Sequence, residues 1–218
     1  MISTVLCLLP MVFGILVYGK LPDEIPTKWY SDGTVGQYMP KAFTVFGMPV
    51  FFAAINGLVH FSMNTDPKKQ NIGSMVKVIG KWVIPVLAMA AIPTAILWGM
   101  GIEIPMDRIL PVILGIVFVL IGNYFPKCRR NYTTGIKTPW ALDSDENWRK
   151  THHMAAFLWI AAGLVMIAQV FLPGKIGMIA MGIMVVLLII LPYAYSYILY
   201  RIGIKCYKKG LFILQKAV

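Results

Sequence analysis

The sequence predicts an all-α, polytopic membrane protein of six transmembrane helices with both termini in the cytoplasm. Three observations carry that reading. Hydrophobic residues make up 58% of the 218-residue chain, charged residues only 13%, and mean hydropathy is +0.72. A soluble domain holds about 45–50% apolar and about 25% charged residues. Six apolar stretches run over 2–18, 43–62, 79–100, 109–125, 154–172 and 176–200, each close to the ~20 residues that cross ~30 Å of hydrocarbon. Lys and Arg are unevenly shared between the connections: four in 63–81, six in 126–151 and five after residue 200 place fifteen of the twenty on one side. Basic residues mark the cytoplasmic side. The net charge of +11 is thereby mostly an inner-surface charge, explained by topology and attraction to anionic lipid. No nucleic-acid-binding module is visible.

The first stretch has no Lys or Arg ahead of its apolar run and no small-residue cleavage site, so it is expected to be a retained helix rather than a signal peptide. The loop that follows, KLPDEIPTKWYSDGTVGQYMPKA (20–42), has its three bases balanced by three acids. Pro22, Pro26 and Pro40 with Gly33 and Gly36 argue against one continuous helix, and SDG reads as a tight turn. The loop is expected to be a structured outer cap, with Pro22, Pro26, Lys28, Trp29, Tyr30 and Lys41 as ligand candidates. The alternative is that Trp29, Tyr30 and Tyr38 simply rest at the membrane interface.

Within the spans, Pro10, Pro49, Pro85, Pro93, Pro111 and Pro192 either bend helices around a cavity or reflect the general frequency of proline in membrane helices. Asn56 and His60 lie four apart on one face of the second stretch, and for His60 a satisfied structural role is expected. Gln169, Thr94 and Asn123 add further polar groups. No Asp, Glu, Lys or Arg falls near the centre of a stretch, which weighs against a proton- or ion-coupled transporter. Cys7 lies in a span, and Cys128 and Cys206 lie on the reducing side, so neither a disulfide nor a cysteine metal site is expected.

Between the fourth and fifth stretches stands RRNYTTGIKTPWALDSDENWRKTHH (129–153). Pro126 helps to stop the preceding helix. Gly135 suits a positive φ, and Pro139 disfavours helix at Thr138. A new helix is expected within LDSDENW, with Asp143 as cap and Glu146 in capping-box spacing. It would place Trp148, His152 and Ala155 or Ala156 on one face, and Arg149 and His153 on the adjacent face. Arg129, Asn131, Thr138, Trp140, Trp148 and His152 are then expected to form one packed polar cluster at the inner mouth of the bundle. The alternative is a solvated elbow whose members never meet.

The segment GNYFPKCRRNYTTGIKTPWALDSDENWRKTHH resembles the signature of the SdpI family of bacterial membrane proteins, at Arg129, Asn131, Gly135, Thr138, Pro139, Trp140, Leu142, Trp148, Thr151 and His152. The first loop resembles the domain of unknown function, DUF1648, that often precedes it, at Leu21, Pro22, Ile25, Pro26, Gly33 or Gly36, and Lys41. Lys137 and His153 stand where the family has Arg, and Lys28 stands in place of a usual His; a Lys keeps the charge but loses the bidentate fork. The resemblance implies a DUF1648-like region over 1–62 and an SdpI-like region over 63–218, which contains the inner motif loop and the basic tail. It also implies an immunity role in a bacterial cell membrane: protection from a secreted antimicrobial peptide met outside, coupled to a small transcriptional repressor held at the cytoplasmic face. No direct nucleic-acid contact is expected. A small-molecule or peptide transporter is the alternative. An enzyme is not expected, because His152–His153 is no usual zinc spacing on a helix and no nucleophile elbow is present. No metal or other cofactor is implied.

Overall fold

A computed structural model describes residues 2–30, 34–171 and 174–216, with 106, 107, 174, 175, 178 and 204–216 described by their backbone alone. Six of its helices are long and apolar enough to cross a membrane: Ile2–Lys20, Phe43–Thr65, Ser74–Gly99, Arg108–Lys127, Asp145–Phe171 and Ile179–Gly203, numbered here as spans 1 to 6. Large apolar side chains such as Leu16, Leu58, Phe157 and Ile189 point outward from them, as suits spans whose surroundings are hydrocarbon and whose backbone groups pair within each helix.

Span 1 is interrupted between Ile2–Leu6 and Leu9–Val17. Pro10 has no N–H for the Leu6 carbonyl and its ring crowds that carbonyl, so the helix breaks one turn earlier. Span 2 opens with a π-helical turn, Phe43–Gly47. Span 3 runs unbroken through Pro85 and Pro93, and the helix containing span 6 continues from Gly174 to Lys216. The basic tail thus extends that helix, while its Lys205 and Lys208 side chains lie outside the described residues.

The loop between spans 1 and 2 is a β-hairpin that the all-helical expectation did not contain. Strands β1 (Glu24–Trp29) and β2 (Val35–Pro40) pair antiparallel, with Ile25 opposite Met39 and Pro26 opposite Tyr38. The register slips just after Pro26, a residue with no N–H for the ladder. Tyr30 N donates to Thr34 O at 2.9 Å across the turn; the expected SDG turn itself lies outside the described residues. Leu21 and Ile25 bury against Val45 of span 2 and Ala88, Ile92, Ala95 and Ile96 of span 3. This core joins the hairpin to the first half of the bundle.

Spans 4 and 5 make the second core, where Phe125, Ala155 and Ala156 are buried. Their backbones approach closely because the crossing residues are small: a Cβ at Gly115 would fall 2.6 Å from Gly163 O. Close crossing at small residues is a usual means of packing helices in lipid. Polar side chains fasten span 1 to its neighbours. Buried Asn56 accepts from Thr4 Oγ1 at 2.8 Å and donates to Lys81 O at 2.9 Å, while His60 Nε2 lies 2.7 Å from Ser3 Oγ. Both are satisfied, as expected of His60.

Candidate functional site

The motif loop begins where span 4 ends in a 3-10 turn, Phe125–Lys127. Asn131 then organises it. This residue is fully buried, and its Oδ1 accepts from Thr133 N at 3.0 Å, Thr134 N at 2.7 Å and Thr134 Oγ1 at 3.0 Å. Its Nδ2 donates to Arg129 O at 2.8 Å and reaches Cys128 Sγ at 3.4 Å. Asn131 therefore bridges the turn, supplying from one side chain the acceptors that a short loop cannot supply from its own backbone.

Trp148 and His152 hold the other flank. Their rings stack at 4.1 Å between centroids, one helical turn apart on span 5. The Trp148 indole N–H donates to Cys128 O at 2.8 Å, and His152 Nε2 accepts from Ile136 N at 2.9 Å. An amide N–H can only donate, so Nε2 must present its lone pair, and the ring proton sits on Nδ1, which donates to Trp148 O at 2.8 Å. Gly135 lies between these groups with φ +98°, and a Cβ there would sit 2.3 Å from His152 Nε2. Both the positive φ and the close approach exclude a side chain.

Thr138 belongs to a second buried network. Its Oγ1 caps the short helix Pro139–Asp143 by accepting from Ala141 N at 3.1 Å, and lies 2.6 Å from Ser196 Oγ on span 6. Ser196 Oγ donates to Asn147 Oδ1 at 2.8 Å, Asn147 Nδ2 donates to Ser196 O at 2.9 Å, and Thr151 Oγ1 donates to Asn147 Oδ1 at 3.0 Å. All four side chains are buried. Because Ser196 Oγ donates onward, its bond with Thr138 takes the Thr138 proton, so every hydroxyl has a role.

The single packed cluster expected from the sequence is thus two networks, with some expected members outside both. Arg129 is exposed, and it is its backbone carbonyl that joins the network. The guanidinium near the loop is that of Arg130, which donates to Leu142 O at 2.9 Å and pairs with Asp145 Oδ1 at 2.8 Å. Asp145 is largely exposed, so that pair adds little to stability. Trp140 turns away from Trp148 and packs among Tyr193, Tyr197 and Tyr200 of span 6. Lys137 is exposed with Nζ 3.3 Å from Thr133 O, and exposed His153 meets the edge of Phe157. The helix of span 5 is capped by Ser144, which accepts from Asn147 N, rather than by Asp143. The short helix ends at Asp143, so the residue left extended at the new helix start is Ser144.

Besides Ser196, two further contributors escape a reading of the motif alone. Asp66, just after span 2, is buried; its Oδ2 accepts from Tyr132 N at 2.9 Å and Thr133 Oγ1 at 2.7 Å, and its Oδ1 from Lys68 N at 2.7 Å. Burial raises its pKa, but hydrogen bonds from the Thr133 and Lys68 groups and from Tyr132 outweigh it and hold the carboxyl below its ordinary value. Asn71 donates to Arg130 O at 2.7 Å. These two residues fasten the connection between spans 2 and 3 to the motif loop. A lone Asp beside Pro67 and two lysines reads as loop solvation, so no sequence pattern marks it out. The Cys128 thiol is raised above its ordinary value by burial, against hydrogen bonds from Thr134 and Asn131, which favours the neutral thiol. Among the described residues no three His, Cys, Asp or Glu side chains gather to hold a metal ion.

At the opposite end, Lys41 ties the two ends of the hairpin loop: Nζ lies 3.1 Å from Asp23 Oδ1, and its backbone N donates to Asp23 O at 2.8 Å. Trp29 packs inward on Trp98, with centroids 6.0 Å apart, and Pro26 is buried. Pro22, Lys28 and Tyr30 are exposed, with the Lys28 ammonium 5.8 Å from the Tyr30 ring.

Both ends of the molecule match known sequences. Residues 127–196 match the SdpI/YfhL protein family, and residues 5–53 match a domain of unknown function, DUF1648. Over 200 residues, 92% of this chain and 95% of the other, the sequence is 24% identical to the immunity protein SdpI of Bacillus subtilis (strain 168). No solved structure matches. The resemblance drawn from the motif residues therefore holds in both segments that carried it. With six apolar spans, the chain is a multi-pass protein of a bacterial cell membrane. Asp66, Asn71 and span 3 lie between the two matched regions.

Proposed function

We propose that this chain is an integral membrane immunity protein. In this reading the hairpin faces the outside and meets a secreted antimicrobial peptide, and the motif loop lies in the cytoplasm and couples to a small transcriptional repressor. The observation that carries the proposal is the similarity to an immunity protein along 92% of the chain, which includes both polar ends of the bundle. The structure adds physical support. Among the described residues β2 pairs with β1 alone, and an unpaired strand edge suits an extended peptide. The rigid inner loop touches spans 4, 5 and 6 and the connection after span 2, so a shift of any of them would alter the surface it presents. On this reading the boundary between the two regions falls near residue 62.

Expression in a sensitive bacterium should raise tolerance to a peptide secreted by the producing genome. Unchanged killing by each such peptide, at verified membrane expression, would refute immunity, and saturable flux of a small molecule in liposomes would favour transport instead. Sidedness has its own test. In a cysteine-free background, an impermeant reagent should label Gly33→Cys from outside and Ser144→Cys only after permeabilisation; the reverse pattern refutes the orientation.

A further inference from the structure

A cavity of about 490 Å³ lies between spans 2, 3, 4 and 5 and is closed at one end by the motif loop. Its walls include Val59 and Met63, Gly80 and Ile84, and Ile121, and its end wall is the segment from Thr133 to Ile136. That volume lies in the range of small-molecule sites, roughly 300–1,000 Å³. The loop wall is held from two directions, by Asp66 through Tyr132 and Thr133 and by His152 through Ile136. The motif residues thus shape one end of a chamber whose other walls belong to the membrane.

The chemistry of the lining selects the occupant. Its polar side chains at the loop end are already engaged: Thr133 with Asp66 and Ser62 O, and Thr134 with Asn131 and Cys128. The remaining buried donor without a partner among the lining residues is the indole N–H of Trp159. That indole and the hydroxyls of Ser62 and Tyr124 cannot satisfy the successive N–H and C=O groups of a peptide along a lining that is otherwise apolar, each group being costly to strand there. A hydrocarbon chain brings no such groups, and the surrounding bilayer supplies it. Two cations stand beside the loop end: Lys127 lies 5.1 Å from the ring of Tyr124, itself a lining residue, and Lys68 lies 5.2 Å from that of Tyr132. They complement an anionic headgroup.

We infer that this cavity holds an acyl chain of an anionic phospholipid drawn from the bilayer, with its headgroup at Lys127 and Lys68. The inference does not depend on the immunity reading. Its test is the full-length protein in phosphatidylcholine vesicles containing phosphatidylglycerol with a photoactivatable diazirine on one acyl chain, with labelled residues located by mass spectrometry. Label is expected on Ile121 and Ile84 as well as on the outward faces around Leu58 and Phe157. Ile84→Trp should cut the Ile121 label about tenfold and leave the outward label unchanged; Val83→Trp serves the same purpose if Ile84→Trp does not fold. Label confined to the outward faces, or an Ile121 label indifferent to a folded cavity-filling variant, overturns the assignment. Equal labelling by a phosphatidylcholine probe overturns the headgroup assignment, and labelling of the cavity by a diazirine-bearing apolar peptide instead of the lipid overturns the choice of occupant.

Discussion

The hairpin loop at 20–42 and the motif loop at 128–144 share a vocabulary of proline, glycine, aromatic rings and mixed charge. They are held by different forces. The hairpin loop makes a backbone ladder and plugs Leu21 and Ile25 into an apolar core, while charged side chains such as Asp23 and Lys28 stay near solvent. The motif loop has no strand pairing. Outside its short helix Pro139–Asp143, buried side chains of Asn131, Asp66, His152 and Trp148 answer its amides and carbonyls one by one. The lesson is that an irregular loop can be rigid when its backbone groups find fixed side-chain partners, because buried groups left without partners are costly. A hairpin pairs its backbone through its own ladder and depends less on such side-chain partners.

The contrast predicts an ordering of mutational effects, each measurable by thermal unfolding in detergent. Asn131→Ala should be the most damaging, at about 2–3 kcal/mol, because two amides and a hydroxyl lose one acceptor together. An effect no larger than that of Lys28→Ala in the hairpin loop would break the comparison. Gly135→Ala should follow at about 1–3 kcal/mol, since it combines a positive φ with a collision against His152. His152→Ala in the same background should relieve part of that cost, a non-additivity that identifies the contact.

Asp66→Asn should cost about 1–2 kcal/mol, as a neutral amide accepts those hydrogen bonds less strongly. Its pH dependence has a fixed sign. The folded-state pKa of Asp66 is depressed, so its contribution is fully present above the ordinary aspartate value, about 3.9, and is lost as pH falls through the depressed value. The stability gap between parent and Asp66→Asn should therefore close on acidification; a gap that widens would show that the carboxylate is not the stabilising species. The smallest effects belong to charges whose partners or side chains lie in solvent. Half-buried Lys41 pairs with exposed Asp23, so Lys41→Ala should cost about 1 kcal/mol or less, and Arg129→Ala, at an exposed side chain, about 0.5 or less. A large loss from Arg129→Ala would restore that side chain to the motif-loop network.

Much of the motif-loop site is legible in the residue string because its devices are local. Gly135 announces a positive φ, Pro139 an extended Thr138, and the spacing of Trp148 and His152 a common helical face; each rests on the geometry of a few adjacent residues. Asn131 bridging its own turn is legible for the same reason. Asp66, Asn71 and Ser196 are not, since nothing near them in sequence names a partner about fifty to seventy residues away. Arg129 and Arg130 are equivalent by composition, and only the path of the chain out of span 4 decides which one turns toward Leu142 and Asp145.

The apolar runs by themselves determined the six helices, because a hydrocarbon surrounding tolerates only backbone that is paired within its own segment. Proline and glycine placement likewise determined that neither long loop is a continuous helix. Tertiary structure decided the rest. The first loop became a hairpin because Leu21 and Ile25 could bury on spans 2 and 3, and the expected single cluster became two because span 6 brings Ser196 to Thr138 and Asn147. Those outcomes depend on which helices are neighbours, a choice made by close-packing at small residues such as Gly115 and Gly163, where hydrophobicity is equal on every side and only shape discriminates.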